Sequence, residues 1–408
     1  MPSVCYDRTK RACFLTCFST AITANLPPLF FLTFREQFGI SFSLIGFLVV
    51  LNFGTQLCFD LLFSFFSHRF NIRLSLRIMP IIMTVGLVLF AAFPLLFPSH
   101  PYLGLAIGTA VFSAGAGLAE VLVSPTVAAI PSPDPDRTMS RLHSAYAWGV
   151  PATVICATVF FRLFGTEYWY FLTLLLAILP FTASLLLLTS PIPPMETPEK
   201  ASAAAEEFKN PTVLLYVACI FLGGASECTM SQWCSGYLET AFGVSKTIGD
   251  LFGVALFGLM MAIARTLYGK IGRNIHSVLF WGALGAAICY LTAVFSGIPV
   301  IGLIACACTG FCTAMLWPGS LVAVSEKVPH GGVALFALMA MGGDLGASLC
   351  PQGVGMITDG VLAAGWAPEL ASSLGLTVEQ LGMKSGMAFA SLFPIAATIL
   401  FAYAKKRK

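Results

Sequence analysis

The stretch GAGLAEVLVSP, residues 115–125, holds one carboxylate in a run of small and apolar residues. Asp, Glu, Lys and Arg are absent from Ile78 to Ala119, and then charge is used once, at Glu120. Charge avoided over such a length points to lipid rather than water as the solvent. The whole chain has the same character: 57% of its 408 residues are hydrophobic and 10% charged, with mean hydropathy +0.86. A soluble domain carries about 25% charged residues to cover its surface. The composition therefore predicts an all-α integral membrane protein.

Apolar segments of roughly 20 residues can cross the hydrocarbon as helices. They fall near 12–34, 43–66, 77–97, 102–129, 142–162 and 168–189, then near 211–235, 248–268, 276–295, 299–324, 333–357 and 385–403. Twelve transmembrane helices are expected. The moderately polar stretch Asp359–Lys384 reads as a folded hairpin outside the membrane. Arg8, Lys10 and Arg11 before an apolar run imitate a signal peptide, but the run continues to about Phe34 with no small-residue cleavage site, so a retained first helix is expected.

Twelve helices sort Lys and Arg unequally. Eighteen of the twenty-two fall on the side of the two termini, Arg69, Arg141, Arg265 and Arg273 among them. The other side holds only Arg35, Arg162, Lys246 and Lys384. Positive charge is retained in the cytoplasm on insertion, so both termini are placed there. The net charge of +3 reflects this orientation and not nucleic-acid binding. Most of the thirteen cysteines lie inside expected helices without metal-ligand spacing, and the densest cluster, CACTGFC at 306–312, reads as helix packing.

Residues 190–210, SPIPPMETPEKASAAAEEFKN, suit a cytoplasmic linker. They divide the chain into six-helix bundles over 1–189 and 211–408. Sequence echoes cross this division. FGIS at 38–41 returns as FGVS at 242–245, Asn52-Phe53-Gly54 as Leu256-Phe257-Gly258, Arg69 as Arg273, and Ser124-Pro125 as Trp317-Pro318. Their common order points to a duplicated, pseudo-symmetric bundle.

On these grounds the chain resembles the major facilitator superfamily along essentially its whole length. That family carries the loop signature G-x-x-x-D-R-x-G-R-R after its second and eighth helices. Here SFFSHRFNIR (64–73) and RTLYGKIGRN (265–274) stand in those places. The resemblance implies a substrate bound near the midplane between two halves and exposed alternately to each side. The pattern G-x-G-L-x-E-x-x-x-x-P around Glu120 resembles the fourth helix of fucose-permease-like sugar:proton symporters. That likeness implies a role for Glu120 in proton coupling and sugar binding. In the first helix the same family has an acid near a polar A-N-N motif; this chain reads ITANLPPLFF, keeping Asn25 but placing Pro27 and Pro28 where the acid would fall.

Four acids are read inside the spans: Asp60, Glu120, Glu227 and Asp344, with no Lys or Arg expected at comparable depth. An isolated charge at the bilayer centre costs about 2.5–3.5 kcal/mol or more. Such acids must face a wet cavity, pair with polar groups or stay protonated, and a group that exchanges a proton near neutral pH can couple proton movement to transport. Glu120 and Asp344 are the proton-coupling candidates.

Helical spacing gathers other polar groups beside them. Asp344, Ser348 and Gln352 form an i, i+4, i+8 stripe, and Asp344 is open to three roles: binding substrate, carrying a proton or locking two helices. Glu227, Ser231 and Ser235 share a face beside Gln232 and Trp233, a mixture suited to hydroxyl-rich solutes, although Trp233 also fits an interfacial anchor. Trp317 is expected in the cavity or its gate. Asn52, Gln56 and Asp60 repeat the stripe, with Asp60 near the cytoplasmic end, where a salt bridge to arginine would close an inner gate. His143 in RLHSAYAWG is placed for a gating or capping contact. The gating set is thus Asp60, Arg69, Arg141, His143 and Arg273.

No Walker motif, nucleophile elbow, zinc motif or dinucleotide fingerprint occurs, so no enzyme, cofactor or metal site is expected. The expected activity is proton-coupled uptake of a small hydrophilic solute, a sugar or polyol, by a monomer in a bacterial cytoplasmic membrane. Asn25, Asn52, Gln56, Glu120, Glu227, Gln232, Trp233, Trp317, Asp344 and Gln352 form the candidate binding set. The rival readings are a proton-driven exporter of organic cations or lipophilic compounds, and a membrane sensor that no longer transports.

Overall fold

Backbone polar groups have no water to bond in hydrocarbon, so each membrane-crossing segment must satisfy them internally, as a helix does. The computed structural model describes residues 5–66, 69–132, 135–194, 210–271, 274–328 and 332–406, and among these the regular structure is helical throughout. The elements are α1 (Asp7–Asn25), α2 (Phe31–Phe38), α3 (Phe42–Phe66), α4 (Ile72–Leu96), α5 (Pro101–Ala128), α6 (Pro135–Phe164) and α7 (Trp169–Leu188). Then follow α8 (Pro211–Phe242), α9 (Leu256–Ile271), α10 (Ile275–Phe295), α11 (Pro299–Thr313), α12 (Leu316–Lys327), α13 (Gly332–Leu362) and α14 (Val378–Lys406).

Among the described residues ten helices are long and apolar enough to cross a membrane. The expected spans 142–162 and 333–357 fall on α6, whose apolar part is Trp148–Phe164, and on the 31-residue α13. The count of twelve is therefore matched in position but not span for span by length and hydropathy. The expected outer hairpin is smaller than the sequence implies. α13 runs to Leu362 and α14 starts at Val378, leaving the short helix Ala367–Ser373 between them.

Local chemistry explains where helices stop and bend. Pro27 and Pro28 bring no amide donors, and there α1 tightens into the 3-10 turn Pro27–Phe30 before α2 resumes. Asn71, Asn210 and Asn274 cap α4, α8 and α10 by accepting from Leu74 N (3.1 Å), Thr212 N (2.9 Å) and Ser277 N (3.1 Å). The FGIS/FGVS echo has a structural cause. α2 and α8 both end at a Phe followed by a left-handed glycine, Gly39 (φ 64°) and Gly243 (φ 65°). Each glycine amide bonds four residues back, to Arg35 O at 2.9 Å and Glu239 O at 3.0 Å.

Contacts divide the chain into two units. The first comprises Met1–Phe30 and Thr55–Ala201. In it α4 packs along α5 through small residues: a Cβ on Gly115 would lie 2.6 Å from Met83 Cγ and 2.7 Å from the Met79 carbonyl. Membrane helices approach closely where such residues line the seam. Leu76, Met79, Leu118, Leu122, Leu142 and Leu187 form its core.

The second unit comprises Phe31–Gly54 and Ser202–Lys408. Its core holds Tyr216, Leu279, Leu316, Met339 and Phe401. Two buried phenols tie α8 to α10: Tyr237 donates to Ala293 O and Tyr290 to Ser226 O, both at 2.8 Å. Asp359 of α13 caps α3 from another helix, accepting from Phe42 N at 3.1 Å and Ser43 N at 2.6 Å. Beside this cap Arg35 pairs with Glu379 at 2.7 Å and lies over the Phe42 ring, 4.1 Å from its centroid.

Three of the four cations expected on the minority side make structural contacts. Besides Arg35, Lys246 pairs with Asp250 at 3.3 Å. Lys384 donates to Val294 O and Ser296 O at 3.0 Å each, neutralising the carbonyl end of α10.

Candidate functional site

The first unit brings two carboxylates together. On α5 the exposed apolar positions Leu103 and Ile107 share a stripe with Ala110, Ala114, Val121 and Pro125, the face turned to lipid. Glu120 is exposed as well, but a 100° step per residue carries it off that stripe, and Gly115–Ala119 before it are buried. Its exposure is therefore away from that stripe. Asp60 sits on α3 opposite that helix's exposed stripe of Leu44, Phe47, Leu62 and Phe66.

The two helices meet at Gly117, whose Cβ would lie 3.0 Å from Gln56 Cα and 3.1 Å from Phe59 Cβ. One turn further along each helix, Asp60 and Glu120 are electrostatic neighbours, and Glu120 also acts on Cys17 of α1. Among the described residues no cation pairs with Asp60, and its Oδ1 is buried without a hydrogen-bond partner. The expected arginine salt bridge of Asp60 is therefore not made among the described residues. A second carboxylate stands in its surroundings instead.

The second unit assembles a different group. Glu227 lies midway along α8, and Arg265 of α9 reaches it, Nη2 standing 3.2 Å from Oε1 and 3.5 Å from Oε2. This corrects the expectation that no Lys or Arg shares the depth of the interior acids. Arg265 sits near the C-terminal end of its span, and its long side chain reaches Glu227 at the middle of α8.

Helix α9 is exposed along Leu259, Ile263 and Leu267. Arg265 lies two residues from Ile263, 200° around the helix, on the side away from that lipid stripe. Its Nε donates to Ala314 O at 3.0 Å. That carbonyl lies in the break between α11 and α12, and its helical donor would be the amide of residue 318, which is proline.

Trp317, beside Pro318, is partly buried against two glycine faces. A Cβ on Gly224 would lie 2.9 Å from Trp317 Cζ3, and one on Gly343 2.6 Å from Cζ2. Asp344 follows Gly343 on α13 and is buried. Glu227, Asp344, Arg265 and Cys350 all act on Cys228, which marks them as one neighbourhood.

The remaining candidates are dispersed. Asn25 is buried at the end of α1 and its Nδ2 donates to Ala21 O at 2.9 Å. Asn52, Gln56 and Asp60 keep their common stripe. Gln232 is buried. Gln352 is partly buried at the contact of α13 with Gly46 of α3, and its Oε1 has no partner. Trp233 is buried, its Nε1 donating to Pro351 O at 2.9 Å and its ring set against Phe31 and Phe42, with centroids 5.4 and 6.0 Å away. Both the polyol-stacking surface and the interfacial anchor need an accessible indole, and this one is engaged in packing.

Residues 12–351 match the family described as Major Facilitator Superfamily. The chain belongs to that superfamily. No curated protein matches it. Among solved structures, a bacterial homologue of the human lysosomal transporter Spinster, inward-facing and unoccupied, is 15% identical with TM-score 0.75, covering 98% of this chain and 97% of that one. A D-xylose–proton symporter is 18% identical with TM-score 0.71, covering 96% and 97%. The E. coli fucose:proton symporter is 12% identical with TM-score 0.59, covering 98% and 99%. At these identities the likeness is one of fold. This major facilitator protein is an integral membrane transporter and not an enzyme.

Of the transporter's expected gating residues, Arg69 is exposed, its guanidinium 5.5 Å from the Phe66 ring centroid, and Arg141 is exposed on α6. His143 lies on the same helix. Arg273 is outside the described residues.

Three charged groups with defined partners escape the sequence reading. Arg265 reads as a loop charge. Asp250 is buried in the π-helical turn Gly249–Ala255, accepts from Ser235 Oγ and pairs with Lys246, though it lies inside the expected span 248–268. Asp359 reads as part of a polar loop. The signal for Asp250 was available, an acid four residues after a lysine; no local signal marks the other two.

Proposed function

We propose that this transporter is a secondary active carrier working by alternating access, built from six-helix halves over 1–189 and 211–408 with both termini in the cytoplasm. It takes up a small hydrophilic solute, a sugar or polyol, together with protons. The observation that carries the reading is the Asp60–Glu120 pair: two carboxylates on adjoining helices, off the lipid face, with no cation to neutralise them among the described residues. Two like charges that close are not both ionised without cost, so the pair is a natural place for one proton to reside and be exchanged. The fold-level likeness to xylose and fucose symporters supports sugars as the solute class.

The test uses purified protein in liposomes with an imposed inward proton gradient and a panel of sugars and polyols. Uptake of a panel member that the gradient drives in the wild type, and that Glu120→Gln uncouples, is the expected result. Gradient-driven efflux of organic cations or lipophilic compounds, with no sugar uptake, overturns the uptake reading in favour of export.

A further inference from the structure

The pairing of Glu227 with Arg265 is a poor device for stability. An ion pair taken out of water recovers little of its desolvation cost, and apolar residues of similar volume often serve as well. Nor is the pair closed. The Arg265 side chain is 40% exposed against 14% for Glu227, on the face of α9 opposite its lipid stripe. A guanidinium carries five N–H donors. Nε is spent on Ala314 O and Nη2 on Glu227, while Nη1 makes no hydrogen bond among the described residues. The Nε bond to Ala314 O, beside the Pro318 break, anchors the guanidinium while Nη1 stays unengaged among the described residues.

From this geometry we infer that Arg265 is a substrate-binding residue for a carboxylate, and that the solute is a hydroxylated carboxylic acid, a sugar acid or close analogue. The inference rests on the transport reading above and names the solute class within it. A planar guanidinium with a free edge matches a carboxylate in bidentate fashion. Trp317, set against its glycine faces beside Asp344, supplies an apolar surface in the same neighbourhood.

The charges facing Arg265 fix the sign of the pH dependence. Glu227 of α8 faces Arg265 directly at 3.2 Å, and Asp344 of α13 and the thiols of Cys228 and Cys350 share the neighbourhood. An incoming carboxylate makes a third anion around one cation, so binding is favoured when Glu227 or Asp344 carries a proton. The acid is bound with a proton, and its affinity rises as pH falls while the acid itself stays ionised.

The experiment measures thermal shift and equilibrium binding of D-gluconate and D-glucuronate to the full-length protein, with D-glucose and sorbitol as neutral partners, followed by counterflow of the same four in liposomes. Wild type is expected to bind the acids and to bind them more tightly at lower pH. Arg265→Gln is expected to lower acid affinity about tenfold or more. That variant also strips partners from Glu227 and Ala314 O and can unfold for this reason, so Glu227→Gln is the second arm. It keeps the cation and removes its competitor, so acid affinity should rise and its pH dependence flatten.

A purely structural ion pair predicts no gain in Glu227→Gln, and that result overturns the inference. Binding of the neutral partners as tight as that of the acids, or no response to either acid, overturns it too. Counterflow of a neutral sugar alone leaves the transport reading standing while this inference falls. Absence of counterflow by all four removes support from both.

Discussion

Arg265 donates its Nε hydrogen to the Ala314 carbonyl at 3.0 Å, the acceptor that proline at position 318 leaves without a helical donor. A break in one helix thereby sets the pose of a cation on another. Pro318 stands in the first turn of α12, where a missing amide donor is tolerated. Pro318→Ala restores a donor for Ala314 O and should leave the melting temperature equal or higher, while transport falls because Arg265 loses its fixed acceptor. Thermal unfolding measured beside uptake checks both, and a gain in stability with full activity would detach the break from function.

Glu120→Gln should fold with little change in melting temperature, because the residue is exposed and the amide is nearly isosteric. It should abolish the pH dependence of uptake. Asp60→Asn, one turn beyond the same helix contact, should alter that dependence as well, since the two carboxylates act on each other. A pH profile unchanged in both variants refutes the proton role of the pair.

The Trp317 ring leaves no room at Gly343, where a Cβ would lie 2.6 Å from Cζ2. Gly343→Ala should destabilise the protein by about 1–3 kcal/mol through overpacking and shift the tryptophan emission. Gly360 on the same helix has nothing within 4 Å of a Cβ, so Gly360→Ala should be neutral or gain up to about 1 kcal/mol. Equal melting temperatures for the two variants would contradict the packing.

Asp359 and Glu379 hold the start of α3 and the end of α2 by unlike means. Asp359 accepts two backbone amides from a first turn that has no donor-satisfying carbonyls of its own. Glu379 is half-exposed, and screening limits such a pair to about 0–1 kcal/mol. Asp359→Ala should cost about 0.5–2 kcal/mol, at or above the cost of Glu379→Ala. Chemical denaturation of the two variants side by side gives the order, and the reverse order would mean that the cap is not made in the folded state.

Residues such as Glu120 were legible because lipid imposes its constraint locally. An acid in an uncharged run has few permitted surroundings, and periodicity shows which way it turns. The stripe of Asn52, Gln56 and Asp60 was readable for the same reason, and the FGIS/FGVS echo proved to be two left-handed glycine caps. Trp233 was not readable. An indole near a span's end fits an anchor, a ligand platform or a packing core, and only its bond to Pro351 O decides among them.

The sequence by itself determined a helical membrane protein, the approximate limits of its spans and the presence of acids away from lipid, because burial of backbone and charge in hydrocarbon is priced residue by residue. Tertiary structure decided the partners. Glu227 and Arg265 are 38 positions apart, and Asp359 stands 317 from the amide of Phe42 that it caps. Nothing in the flanking residues encodes such pairs, because the field at an ionisable group is set by whichever helix packs beside it. That neighbour decides whether an acid shares its site with another acid, as at Glu120, or with a cation, as at Glu227.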